Sequence, residues 1–208
     1  MEPAADGMMS PMTATFDRIS WPVRTARLSL RPAGPVDAEE TWRYWRLAEV
    51  ARWLPFAPET LEGYRAKFLQ PERVDKTLVV ELDGVVIGDL MLSVGDGWAQ
   101  REVAEQAVGV EAEIGYVLDP SYGGQGYATE AVEALIRLCF EDLGLRRVTA
   151  DCFADNKASW RLMERIGMRR EAHTLRESLH RSGEWLDGLG YALLVDEWRA
   201  RCSNSSTW

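Results

Sequence analysis

The residues best suited to chemistry lie between positions 110 and 130. An alternating run, VEAEIGYVL, leads through DPSYGGQGYATEA into a stretch of helical spacing. Gly123, Gly124 and Gly126 let the backbone take positive φ angles and approach a ligand closely. The first N–H groups of a helix lack partners within it, and the helix dipole is positive there. A strand, a glycine turn and a helix in that order therefore suit a pyrophosphate. The same glycines also serve a plain tight turn. On the strand, Glu111, Glu113 and Gly115 share one face, and Ala112, Ile114 and Tyr116 share the other. Further on, Asp155, Asn156 and Ser159 are good helix-start residues whatever else they do.

Two phosphate motifs compare with this turn. A P-loop needs Gly-Lys-Ser/Thr after four spacers, which is absent. A dinucleotide fingerprint fits better, with Gly124-Gln125-Gly126 after a strand and Asp151 near the end of the next one. Against it, Thr129 replaces the third glycine, and too few elements follow for a doubly wound domain. Cys139, Cys152 and Cys202 have no paired spacing and no Cys/His cluster, so neither a disulfide framework nor any metal site is expected. Cys139 falls on an apolar helix face, where a thiol is inert. Tyr116 and Tyr127 read as core and packing residues, and His173 and His180 as surface polar residues outside the site.

The elements that must position these residues follow from periodicity. Residues 23–32 alternate as a strand, and Asp37 caps a helix carrying Trp42, Trp45 and Leu47. Residues 59–69 form a second short helix, and 77–94 a hairpin around Asp83-Gly84. After a polar connection come the strand 110–118, a helix stopped near Gly144, and the strand 147–153. A helix over 156–165 then ends at Gly167, and a strand pair turns near Ser182-Gly183. The fold class expected is α/β (α+β): a mixed, mostly antiparallel sheet of about seven strands and about four helices, with one parallel crossover. Residues 1–20 and 201–208 are expected as tails around one domain, 21–200.

The composition agrees with a folded chain. Its 208 residues are 46% hydrophobic and 27% charged, and the net charge of −9 argues against nucleic-acid binding. No apolar run approaches the roughly 20 residues of a membrane span, and the acidic N-terminus is no secretory signal. No membrane association and a cytoplasmic location are therefore expected. Nine Trp is an unusual count.

EIGYVLDPSYGGQGYATEA followed by DNKASWRLMERIGM resembles the acetyl-CoA core of the GNAT superfamily of N-acetyltransferases. WLDGLGYALLVDEW is similar to the C-terminal pattern of its branch of ribosomal-protein N-terminal (alanine) acetyltransferases. The resemblance spans residues 25–198. It implies a sheet splayed at the cofactor cleft, with the pantetheine arm of acetyl-CoA (or coenzyme A) pairing with Val117 and Leu118. Gln125, Gly126, Tyr127, Ala128 and Thr129 would face the pyrophosphate, and Gly124 would allow the approach. Gly123 departs from the pattern, which often has a long polar side chain there. Asn156 would bond the pantetheine amide. Glu113, ahead of Glu111, is the candidate base, and Ser159 the contact to the cofactor sulfur. The acceptor would be a peptide N-terminus or a small cationic amine. Trp42, Trp45, Trp53 and Phe56 are candidates to line its site, through cation–π contact, although Trp42 and Trp45 also suit a helix stripe packed on the sheet. Homodimers are common in this branch. A non-catalytic CoA-binding module of the same fold and a nicotinamide-dinucleotide reader are the alternatives.

Overall fold

The computed structural model describes residues 16–205. Eight strands form one sheet in the order β1-β2-β3-β4-β5-β6-β8-β7. They are β1 (Val23–Arg24), β2 (Leu28–Pro32), β3 (Thr77–Leu82), β4 (Val85–Gly95), β5 (Glu111–Leu118), β6 (Arg147–Phe153), β7 (Arg169–Leu179) and β8 (Trp185–Leu194). Every neighbouring pair is antiparallel except β5 and β6. The extra strand arises because the expected run 23–32 breaks in two. Thr25 turns the chain there, its N–H reaching the Leu28 carbonyl at 2.9 Å. The β3–β4 hairpin turns at Asp83 and Gly84 with φ of 50° and 80°, the left-handed pair whose twist matches the flanking strands.

Alternate residues of the strands feed two cores. Leu78, Leu90, Leu92 and Ile114 pack with α5 (Tyr127–Arg137) and α6 (Lys157–Arg165) in the main core. α5 continues into a π-helical turn, Leu138–Asp142. A smaller aromatic core joins α1 (Asp37–Trp45) and α3 (Leu61–Phe68) through Tyr44, Trp45, Tyr64 and Phe68, with Val117 of β5 packed against it. α2 (Ala48–Ala51) and α4 (Pro71–Val74) are single turns linking this side to the sheet, and α7 (Val195–Ser205) closes the described chain.

Three expectations shift. Asp37 does not cap α1. Its buried carboxylate instead takes two 2.8 Å hydrogen bonds from Arg31 and one of 2.7 Å from the Gly34 N–H. Phe16 and Ile19, inside the segment expected as an N-terminal tail, are buried in the main core, and the Trp21 indole donates to the Phe16 carbonyl. At the other end α7 runs past residue 201 to Ser205. The expected tails at 1–15 and 206–208 lie outside the described residues, as does Trp208.

Candidate active site

β5 and β6 are hydrogen-bonded neighbours for only three pairs, Glu111↔Arg147, Ala112↔Val148 and Glu113↔Thr149. Beyond these, β5 stays with β4 as far as Gly88↔Leu118, and β6 stays with β8 as far as Phe153↔Gly188. The strands therefore splay, leaving the β6-facing backbone edge of residues 115–118 without a strand partner. A cleft of about 1390 Å³ opens at this gap. Glu113, Val117 and Leu118 from β5, Cys152 from β6, and Asn156 and Ser159 at the start of α6 all line it.

The glycine turn adjoins the same end of β5. Gly124 and Gly126 have φ of 74° and 82°, a region costly for other residues, and a side chain at Gly124 would meet nothing within 4 Å. Gly126 is the N-cap of α5, and no side chain caps it. The first helical bond runs from the Glu130 N–H to the Gly126 carbonyl, so the N–H groups of Tyr127, Ala128 and Thr129 have no acceptor within the helix. Of the expected cofactor residues, Val117, Leu118, Ala128, Asn156 and Ser159 line the cleft, while Gly124, Gln125 and Gly126 form the exposed turn beside it and the half-buried Tyr127 and Thr129 open α5. Gly123 has an ordinary φ of −64°.

Arg27 braces this turn from the bend between β1 and β2. Its guanidinium donates to the Gln125 carbonyl at 3.0 Å, pairs with Glu130 at 2.6 Å and lies 4.4 Å over the Tyr127 ring. The Thr25 hydroxyl donates to the same carboxylate at 2.5 Å. Partial burial works to raise Glu130, but the bonds from Thr25 and Arg27 outweigh it and hold the group below its ordinary range.

Glu113 and Tyr116 leave β5 on opposite faces. Glu113 is exposed in the cleft, and the Tyr116 hydroxyl reaches α6, 2.9 Å from both the carbonyl and the Oγ of Ser159. Burial raises the Tyr116 hydroxyl well above the usual phenol range, so it stays protonated at neutral pH. Sequence reasoning placed Tyr116 in the core. Alternation had put it on the right face, but its partner is 43 residues away. Glu111 is already engaged, paired with both Arg146 and Arg147. The Asn156 Oδ1 accepts from the Ser159 N–H at 3.3 Å as the cap of α6, which leaves its amide N–H groups to face the cleft. Burial pushes the Cys152 thiol up to about 11, so it is no nucleophile at neutral pH.

On the acceptor side, Trp45, Trp53 and Phe56 line the cleft, whereas Trp42 does not and stacks 5.6 Å from Tyr64. The aromatic faces are not vacant. The Arg73 guanidinium lies 4.2 Å over Trp45 and 5.0 Å over Phe56, and the Lys67 ammonium 4.7 Å over Phe56. Beneath them Asp89 is fully buried and accepts from the Tyr44 hydroxyl and the Trp45 indole at 2.8 and 2.7 Å. Desolvation raises its carboxyl, with Trp45, Arg73 and Tyr44 opposing.

The two histidines separate. His173 is exposed and pairs with Asp187 at 3.0 Å. His180, expected at the surface, is buried between Trp53 and Phe153, and its ring bonds Ser182 and the Arg52 carbonyl at 2.9 Å each. Tertiary packing by aromatic residues distant in sequence encloses this turn residue. Among the described residues no group of three His, Cys, Asp or Glu side chains is arranged to hold a metal, and no helix is long and apolar enough to cross a membrane.

The site thus combines a mixed sheet with one splayed parallel pair and a glycine turn entering a helix beside the splay. The family model for the acetyltransferase (GNAT) domain matches residues 27–169. The chain belongs to the GNAT family and is an acetyltransferase. It is 30% identical over 176 residues to the N-acetyltransferase YnaD of Bacillus subtilis (strain 168), covering 85% of this chain and 98% of that one. A GNAT-family acetyltransferase from Bacillus anthracis superposes with a TM-score of 0.70 at 29% identity, covering 84% of this chain and 98% of the other. RimJ of Mycobacterium smegmatis, solved in complex with CoA-disulfide, gives 0.66 at 25% identity, covering 86% of this chain and 88% of its own.

Proposed function

We propose that the cleft binds acetyl-CoA and that the chain acetylates a primary amine, a peptide N-terminus or a small amine, by direct attack in a ternary complex in the cytoplasm. The observation that carries this reading is the β5–β6 splay meeting the α5 N-terminus. The residues there fit coenzyme A: an unpaired strand edge for an extended amide-bearing arm, and unpartnered N–H groups for a pyrophosphate. The CoA complex of RimJ supports it.

Acetyl-CoA, when bound, supplies an activated thioester. Residues 117 and 118 would hold the pantetheine through backbone bonds, with the Asn156 amide donating to it, and the amides from Gln125 to Thr129 would hold the pyrophosphate. Glu113 takes the proton that the acceptor ammonium must lose, directly or through a water. Ser159, held by the protonated Tyr116, would offer its hydroxyl to the cofactor sulfur and stabilise negative charge there. The exposed edge strand β7, with Leu175 and Leu179 outward and Trp185 of β8 beside it, is our candidate surface for a homodimer, which light scattering on the full chain reads directly.

Melting the full chain with acetyl-CoA, CoA or NAD tests the cofactor. A ligand at about 100 times its Kd adds about 2.7 kcal/mol, so both CoA forms should raise Tm by several degrees. Stabilisation by NAD and not by CoA would overturn the reading. Thiol release from acetyl-CoA over a panel of amines then measures turnover.

A further inference from the structure

We propose that the α3–α4 wall of the cleft is a subsite for an anionic group of the acceptor, so that the preferred amines carry a carboxylate. This rests on the reading of the cleft as the site of acetyl transfer to an amine, and adds the acceptor's chemical class.

Arg73 carries the inference. Its guanidinium lies over a box of four rings, 4.2 Å from Trp45, 5.0 Å from Phe56, 5.6 Å from Tyr64 and 5.7 Å from Phe68. Stacking engages the flat face of the group and leaves the N–H fork at its edge for hydrogen bonds. Within that edge the Nε is buried and has no hydrogen-bond partner. A buried donor left unsatisfied is costly, and an arginine fork matches a carboxylate in geometry and charge. Lys67 adds a second positive charge on the other contact to Phe56, and among the described residues neither cation has an ion-pair partner within 4 Å.

Asp89 does not answer this charge. It feels Arg73, but its Oδ1 is taken by Tyr44 and Trp45, and it lies beyond ion-pair distance from the guanidinium. Across the cleft stand Glu113, Asp151 and Glu177; Glu72 of α4 and Glu49 of α2 also line the cleft but lie beyond ion-pair distance from Arg73 and Lys67. Desolvation and the neighbouring Glu177 charge raise the Asp151 carboxyl, so a cation arriving there is favoured. An acceptor with its ammonium toward β5 and β6 and a carboxylate toward Arg73 satisfies both walls. A simple polyamine would place positive charge against Arg73 and Lys67.

The test uses the full chain saturated with CoA, and compares 3-phenylpropionate with its amide in titration calorimetry. The carboxylate should bind at least about tenfold more tightly than the amide, the scale of one charge-assisted hydrogen bond. Arg73→Gln should remove that preference, and Arg73→Lys, which keeps a cation over the rings but not the fork, should keep part of it. Should Arg73→Gln not fold, Lys67→Gln gives an independent reading, a loss of about threefold in carboxylate affinity. Equal binding of acid and amide, no binding of either at millimolar concentration, or an unchanged preference in the variants overturns the proposal. An absent CoA response in the parent protein strikes the cofactor reading instead, and is seen before any carboxylate is added.

Discussion

In the mechanism we propose, Glu113 on one face of β5 would take the acceptor's proton, while Tyr116 on the other face holds Ser159 of α6 for the departing sulfur. Glu113→Gln should lower kcat on the order of 100-fold, with the acetyl-CoA KM near that of the parent. Tyr116→Phe should lower kcat about tenfold by releasing the Ser159 hydroxyl from its partner. If Glu113→Gln keeps the rate, the base lies elsewhere. Asp89 is a residue-scale matter of stability. Its folded pKa is raised, so its favourable contribution is complete below the usual carboxylate range and is lost as pH rises through the folded value. Asp89→Asn keeps an acceptor for Tyr44 and Trp45 but does not titrate, so its Tm relative to the parent should climb as pH rises above about 4; a pH-independent difference would count against this. The places of Glu113 and Ser159 on the cleft were legible because period-2 alternation and a helix start are local patterns. Tyr116 and Arg73 were not, since each is defined by a partner the chain brings back from a distance. The aromatic residues were expected to face an acceptor cation. The cations that cover them, Lys67 and Arg73, come from helices whose contacts no local pattern reveals.

At the scale of elements, the glycine turn and the hairpin at Asp83 and Gly84 were readable because both depend on backbone angles few other residues accept. The brace behind the glycine turn was not. Arg27 and Thr25 belong to the bend between β1 and β2, yet they fix Gln125 and Glu130, about 100 positions later. Arg27 touches no reacting atom and acts by positioning. Arg27→Gln should raise the acetyl-CoA KM about tenfold while leaving kcat within about twofold, the signature of a weakened binding surface. A purely structural role would lower Tm and move neither constant, and a fall in kcat alone would place Arg27 in the chemistry. The same bend split one expected strand into two, because Thr25 satisfies the Leu28 N–H with its hydroxyl at 2.8 Å. Asp37 shows the complementary case. A residue typed as a cap was drawn away by Arg31, a stronger partner than a helix N–H.

At the scale of the molecule, the order of elements sufficed for a mixed sheet with one parallel crossover, whereas the depth of the splay is a matter of where pairing stops. That stop gives the chain an internal fault line. Strands β1 to β5 form one plate and β6 to β8 another, stitched along the sheet by three residue pairs. Glu113 stands on the first plate, and Ser159 follows from the second. If the seam seats acetyl-CoA as we propose, the ligand would work as mortar between plates, and its concentration would set how stiffly the two halves move together as well as how fast they react. Amide hydrogens along residues 115–118 would record that stiffening.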